Sequence, residues 1–162
     1  MTAEAAAAVH RALESRAGTV ATAESLTGGL IGAALTDIAG ASAIYRGGVI
    51  AYATDLKNGL LGVPRDVLDR NGAVHPEVAR AMARGARERL VATFGLAVTG
   101  VAGPEPQDGR PVGTVFAAVA APAQVVEVAE FRFQGDRGYI RRCTVDEALR
   151  LLGKVVVKNT FG

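Results

Sequence analysis

The feature that most constrains the fold of this chain is the alternation of short β-prone runs with segments of helical period. TVATAE (19–24) and LAVTGV (96–101) are typical strand sequences, whereas Val78, Met82 and Ala86 recur at helical spacing. Such alternation is typical of a sheet covered by helices on both faces. With 162 residues, 49% of them hydrophobic, the chain can fill one core, and we expect a single domain over residues 1–162.

A short link between two predicted strands limits the topology further. The runs 112–121 and 125–133 are joined by only a few residues. A parallel return needs a crossover of about a dozen residues, so this pair must be antiparallel. The sequence therefore predicts an α/β protein: a three-layer α/β/α sandwich with a mixed, mostly parallel sheet of about five strands.

The segment TAESLTGG (22–29) joins the first predicted strand to a predicted helix over 27–39. The amides of Gly28 and Gly29, the positive helix end and the hydroxyls of Ser25 and Thr27 together suit a phosphate or carboxylate. Glu24 would repel such an anion if it pointed inward, and would otherwise face a ribose hydroxyl or a basic partner.

Two alternatives apply to the same turn. Its spacing is close to the dinucleotide fingerprint, but Thr27 replaces the first required glycine, on which the tight turn depends. A glycine-rich turn that only allows close packing of helix on strand explains the sequence about as well as anion binding does.

Composition and motifs exclude several classes of function. The net charge is +2, aromatic residues make up 5% and tryptophan is absent, so no nucleic-acid surface is indicated. No cluster has metal-ligand spacing, Gly153-Lys154 lacks the phosphate-loop context, and no apolar run could span a membrane. Cys143 is the single cysteine, which fits a reducing compartment. We expect a cytoplasmic protein whose N-terminus is a helix and not a targeting leader.

Hydrolysis without histidine or cysteine chemistry would need another base. Tyr52 and Lys57, downstream of Ser42, could supply one if burial lowered the lysine pKa enough to deprotonate a serine. From spacing alone, a packed tyrosine, a surface lysine and a loop serine explain these residues better than catalysis does.

Several segments taken together resemble the CinA C-terminal domain family, also known as the nicotinamide-mononucleotide deamidases. The segments, in order, are AESLTGG, GAS before YRGGVIAYATDLKNGLLGV, NGAV before a Pro-Glu-Val helix, LAVTGVAGP, RPVGTV, and QGDR with IR downstream. The resemblance covers nearly the whole chain. It implies a homo-oligomer that hydrolyses nicotinamide mononucleotide to nicotinic acid mononucleotide and ammonia, with no metal or organic cofactor. In many relatives the domain follows a larger nucleotide-pyrophosphatase-like domain, and we expect only the amidase half to apply here.

The resemblance also implies roles for individual residues. Ser42 is the predicted nucleophile, Lys57 its base, Tyr52 a proton relay or positioning hydroxyl, and Thr99 with nearby amides the carbonyl or oxyanion stabiliser. Ser25 is the rival nucleophile. The implied substrate-binding residues are Ser25, Thr27, Gly28, Gly29 and Gly100, with Arg137 and Arg141 as candidates to hold the phosphate.

The sequence departs from the family pattern at two positions. Leu26 stands where many relatives carry a small residue, and His75 stands where a hydroxyl helix cap is common. Neither belongs to the predicted catalytic set.

Two other functions are compatible with the fold. A non-catalytic module that binds pyridine nucleotides would not need Ser42 and Lys57, and the presence of both favours an enzyme. A DNA-associated competence or damage-inducible factor would need a basic face, which the near-neutral charge does not indicate.

Overall fold

A computed structural model describes residues 1–159 of the chain. Within that range the sheet has five strands: β1 (Val20–Glu24), β2 (Tyr45–Ile50), β3 (Phe94–Gly100), β4 (Thr114–Ala120) and β5 (Val126–Arg132). Six α-helices are present in the same range: α1 (Thr2–Glu14), α2 (Leu30–Thr36), α3 (Thr54–Leu61), α4 (Arg65–Asn71), α5 (Pro76–Arg89) and α6 (Arg137–Lys158). The 3-10 turn Ala41–Ala43 precedes β2.

The strand order in the sheet is β2-β1-β3-β4-β5. Strand β1 pairs in parallel with both β2 and β3, whereas β4 pairs antiparallel with β3 and with β5. The predicted antiparallel pair is therefore confirmed, and so is the mixed five-stranded sheet.

Helices cover both faces of this sheet. Helices α1, α2 and α6 contribute to one buried cluster, which includes Leu13, Ile31 and Leu149. Helix α5 dominates the other, through residues such as Met82 and Ala86, and the loop and helix residues Val63 and Leu68 complete it. The three-layer α/β/α prediction is confirmed.

Strand β2 contains an irregularity that its paired glycines predict. Val20 lies opposite Tyr45, but Ala21 lies opposite Gly47, so Arg46 is an extra residue on β2. A side chain at Gly48 would come within 2.2 Å of the Thr22 hydroxyl, so glycine allows the close approach of β1.

Helix α2 is shorter than predicted. The sequence predicts a helix over 27–39, but α2 begins at Leu30 and ends at Thr36. Gly28 and Gly29 have positive φ angles of 57° and 106°, so residues 25–29 form a turn before the helix starts.

Three connections begin at the same end of the sheet, where the parallel strands finish. The segments that follow β1, β2 and β3 all leave from their carboxyl ends, where ligands of such sheets usually bind. None of the helices within residues 1–159 combines the length and apolar character needed to cross a bilayer.

Candidate active site

Lys57 is the most unusual residue at the carboxyl end of the parallel strands. Its side chain is 1% exposed, although it lies on the short helix α3. The Nζ atom lies 3.0 Å from the Ser25 hydroxyl, 2.6 Å from the carbonyl oxygen of Ala51 and 3.2 Å from that of Tyr52. All three partners are polar oxygen atoms, and none of them carries a formal negative charge.

This environment makes the neutral amine easier to form. Burial lowers the pKa of Lys57 from 10.5 to about 8, against the charge of Asp108, which raises it. A neutral amine has two hydrogens and one lone pair. The charged amine donates to all three oxygens. Once the amine has lost a proton, the two carbonyl oxygens, which can only accept, take its two hydrogens, and the lone pair is left to accept a proton from the Ser25 hydroxyl. The arrangement is therefore suited to general-base catalysis.

Ser25 also lines a cavity of about 110 Å³, whereas Lys57 does not. Ser25 is 7% exposed, and its backbone carbonyl oxygen accepts a hydrogen bond of 3.1 Å from the amide of Gly28. The remaining walls come from the turn after β1, the loops after β2, α4 and β3, the end of β3 and the start of α6, and include Leu26, Tyr52, Ala73, Val74, Thr99, Gly100, Val101, Ala102, Gly103, Glu105, Gln107 and Arg137. Ser25 therefore lies between a candidate base and a space for a substrate.

The structure separates Ser42 from this site. Ser42 is an exposed residue in the 3-10 turn before β2, and Lys57 follows β2. The six residues of β2 span roughly 20 Å at about 3.3 Å per residue, so the two residues lie beyond opposite ends of this strand. The structure does not bring Ser42 to Lys57, and the rival hydroxyl of Ser25 is the one that contacts the lysine.

The turn after β1 already contains its anion. Glu24 is 2% exposed, and its Oε1 accepts hydrogen bonds from the hydroxyl of Thr27 at 2.6 Å and from the amides of Gly29 at 3.1 Å and Ile31 at 3.0 Å. Its Oε2 accepts from the amide of Gly32 at 3.0 Å. The carboxylate thus fills the position where we expected an external anion, at the positive end of α2.

This changes the interpretation of the predicted binding residues in the turn. Thr27, Gly28 and Gly29 do not line the cavity, and the groups of Thr27 and Gly29 that could donate to a ligand are directed at Glu24. Ser25 and Gly100 do line it. Only part of the predicted binding set is therefore brought to the cavity.

Tyr52 and Arg137 lie together at the exposed side of the cavity. Tyr52 is 60% exposed, and its hydroxyl accepts a hydrogen bond of 3.3 Å from Arg137. Arg137 also donates to the carbonyl oxygen of Gly103 at 2.6 Å. The contact of Tyr52 with Lys57 is made by its backbone carbonyl, so its hydroxyl is not positioned to relay a proton to the lysine.

Arg141, one turn further along α6, is directed elsewhere. Its Nε donates to the carbonyl oxygen of Leu26 at 2.9 Å, and a terminal nitrogen donates to that of Thr27 at 3.2 Å. It does not line the cavity. The two arginines predicted to bind phosphate therefore have different surroundings.

Thr99 lines the cavity but is 1% exposed, and its hydroxyl donates to the carbonyl oxygen of Ala73 at 2.8 Å. Because its single hydroxyl hydrogen is used in that bond, the geometry does not support Thr99 as an oxyanion donor. It holds the 72–74 loop against the floor of the cavity instead.

Three acidic or amide residues of the loop after β3 were not predicted. Glu105 and Gln107 line the cavity, and Asp108 accepts a hydrogen bond of 2.9 Å from the amide of Ala73. The turn formers in EPQDGRP indicate a loop but not its direction. The structural role of Glu24 was missed too, although an acid placed before a glycine-rich helix start is a recognisable capping signal.

The two residues that depart from the family pattern have defined places in the structure. Leu26 is 4% exposed and forms part of the cavity wall. The Nδ1 atom of His75 accepts a hydrogen bond from the amide of Glu77 at 3.1 Å, so a histidine caps α5 in place of a hydroxyl.

Within residues 1–159, the structure contains no group of three or more His, Cys, Asp or Glu side chains that could hold a metal ion. Cys143 is partly buried on α6 and lies next to Tyr139, whose pKa its thiol raises. It does not line the cavity.

Comparison with known proteins gives a consistent result. The model of the CinA C-terminal domain matches residues 2–156. A CinA-like protein of Frankia casuarinae is 49% identical over 144 residues, which are 89% of this chain and 33% of that protein. A competence-damage inducible protein of Desulforamulus reducens is 51% identical over 133 residues, 82% of this chain and 32% of that protein. The chain thus spans about a third of the length of these relatives.

Solved structures match over almost the whole length. A CinA superfamily protein from Klebsiella pneumoniae superposes with a TM-score of 0.94 at 34% identity, covering 98% of this chain and 99% of the other. The competence/damage inducible protein CihA from Agrobacterium tumefaciens superposes with a TM-score of 0.92 at 40% identity, covering 96% and 95%. The chain therefore belongs to the CinA C-terminal domain family.

Proposed function

We propose that this chain hydrolyses the carboxamide of nicotinamide mononucleotide, with Ser25 as the nucleophile and Lys57 as its base. The observation that carries the proposal is the buried contact of 3.0 Å between Lys57 Nζ and the Ser25 hydroxyl. The choice of substrate rests on the family motifs described above, and the choice of chemistry rests on this contact.

The first half of the reaction forms an ester on Ser25. Lys57 accepts the hydroxyl proton as the serine oxygen bonds to the amide carbon, and negative charge develops on the amide oxygen. Lys57 then donates that proton to the amide nitrogen, the carbon–nitrogen bond breaks and ammonia leaves.

The second half releases the acid. A water molecule gives a proton to Lys57 and attacks the ester carbon, and the bond to Ser25 breaks as the lysine returns the proton to the serine oxygen. The products are nicotinic acid mononucleotide and the free enzyme. Lys57 acts alternately as base and acid, which requires a pKa near the working pH, as burial provides.

Backbone amides are the candidate oxyanion donors in this scheme. The Thr99 hydroxyl is directed at Ala73. The amide of Leu26 follows the nucleophile directly in the chain, which is the position that supplies an oxyanion donor in α/β-hydrolases.

The cavity supports binding of the carboxamide end of a mononucleotide. Its volume of about 110 Å³ is below the roughly 300 Å³ of pockets that enclose whole ligands, so only part of the nucleotide would be buried. Arg137 lies at the exposed side, where its guanidinium could pair with the phosphate.

The decisive experiment measures ammonia release from nicotinamide mononucleotide by the purified chain, with the Ser25→Ala variant as control. We expect release by the wild type and none above background by the variant. Binding of the mononucleotide without ammonia release would contradict the proposal and favour the pyridine-nucleotide-binding module. A single domain over residues 1–162, a homo-oligomer, a cytoplasmic location and the absence of nucleic-acid, membrane and cofactor partners stay predictions.

A further inference from the structure

We propose that Glu24 and Arg141 are positioning residues that hold the Ser25 turn from two sides, and that Arg141, unlike Arg137, does not bind the substrate phosphate. The proposal deepens the proposed function and rests on it for the identity of the nucleophile.

Glu24 holds the side of the turn that faces α2. Its carboxylate is almost fully buried and accepts four hydrogen bonds, from the hydroxyl of Thr27 and from the amides of Gly29, Ile31 and Gly32. Because Glu24 ends β1, these bonds tie the end of the strand to the start of the helix. Ser25 is the first residue between the two tied points.

Arg141 holds the same turn from α6. Its guanidinium forms a fork across two successive carbonyl oxygens, those of Leu26 and Thr27, at 2.9 and 3.2 Å. These carbonyls belong to the two residues that follow the nucleophile. A guanidinium engaged in this way fixes backbone orientation, whereas Arg137 extends over the rim of the cavity.

The consequence for catalysis is geometric. The Ser25 hydroxyl must stay within hydrogen-bond distance of Lys57 while it faces the cavity, and a displacement of about 1 Å can cost on the order of 100-fold in rate. Neither Glu24 nor Arg141 touches the reacting atoms in this scheme. Loss of either should therefore lower kcat without weakening substrate binding.

The test compares Arg141→Ala with its matched control Arg137→Ala on two substrates, nicotinamide mononucleotide and nicotinamide riboside, which lacks the phosphate. For Arg141→Ala we expect kcat to fall about 10- to 100-fold on both substrates, with KM within about twofold of wild type. For Arg137→Ala we expect a higher KM on the mononucleotide only. A phosphate-selective loss in Arg141→Ala, or an unchanged kcat, would overturn the proposal.

Glu24→Gln provides the second variant. The amide oxygen can still accept from Thr27, Gly29 and Ile31, but the NH₂ group faces the Gly32 amide, so one bond and the charge are lost. We expect a lower kcat on both substrates and a pH profile whose midpoint stays at the wild-type value, since Lys57 is not touched. A shifted midpoint would show that Glu24 acts through the charge state of the lysine, against a positioning role. If this variant fails to fold, Arg141→Ala decides alone.

One readout is independent of the substrate. The rate at which a phosphonofluoridate modifies Ser25 should fall in Arg141→Ala by a factor similar to that for kcat. Modification of the variant at the wild-type rate would contradict the proposal. If the wild-type chain is modified but releases no ammonia, the proposed function fails while the role of Arg141 can still be judged from these rates.

Discussion

A serine lies at each end of the parallel strands, but only one of the two contacts Lys57. At the carboxyl end, Ser25 follows β1, is buried and contacts the amine of Lys57. At the amino end, Ser42 precedes β2, is exposed and lies in a 3-10 turn. Ser42 is closer to Lys57 in the sequence, but parallel pairing of β1 with β2 brings Ser25 beside it. Chemistry at this site therefore depends on strand direction more than on distance along the chain.

The largest expected effect comes from exchanging the two serines for alanine. Ser25→Ala should lower kcat by about 10⁴-fold or more, because it removes the attacking oxygen. Ser42→Ala should leave kcat/KM within about twofold of wild type. Steady-state ammonia release measures both variants. Equal losses in the two variants, or a larger loss in Ser42→Ala, would reverse the comparison.

Replacement of the lysine should have the next largest effect. Lys57→Met keeps the length and removes the amine, and we expect kcat to fall about 10²- to 10⁴-fold, the usual contribution of a general base. KM should change little, since the amine faces Ser25 and two backbone carbonyls. Retained turnover in a folded Lys57→Met protein would remove the lysine from the mechanism.

The pH profile gives a smaller and sharper test. Because only the neutral amine can accept the proton, kcat/KM should rise about tenfold per pH unit at low pH and level off above about pH 8, the pKa of Lys57. Asp108→Asn keeps an oxygen that can accept from Ala73 but loses the charge that raises this pKa. Its midpoint should therefore lie at lower pH. A midpoint near 10.5 in the wild type would mean that the working lysine is hydrated.

The smallest effect is on stability. The folded-state pKa of Lys57 is lowered, so between about pH 8 and 10.5 the unfolded chain binds more protons than the folded one, and the free energy of unfolding rises with pH by up to roughly 3 kcal/mol. Below about pH 8 both states are protonated and the difference no longer changes. Urea unfolding across this range should show the rise in the wild type and not in Lys57→Met. Parallel curves for both proteins would contradict burial of the amine.

The fold could be predicted because strand and helix periods, the short link between β4 and β5, and the glycine pair on β2 are local signals. The site could be predicted only in part. On α3, Lys57 is buried one turn before Leu61, while Leu56 and Leu60 are 39% and 44% exposed. This reverses the usual pattern of a helix, so periodicity alone predicts a surface lysine. Contacts across strands decide its burial, and no single segment contains them.

The turn after β1 teaches the same lesson in a different way. The sequence predicts that the amides of Gly28 and Gly29 and the hydroxyls of Ser25 and Thr27 converge on one external anion. In the structure only Thr27 and Gly29 share an anion, and that anion is Glu24 of the same chain. The sequence identifies the donor groups that need a hydrogen-bond partner. Only the direction of a side chain decides whether that partner is internal.

The extra residue at Arg46 has a consequence for how copies of this chain can associate. Strand β2 is an edge strand, and an open edge can template the addition of a foreign strand. A bulge twists the edge and interrupts its row of unpaired backbone groups. Self-association by continuous extension of the sheet is therefore disfavoured at β2, and fibril-like growth from that side is discouraged by the backbone itself.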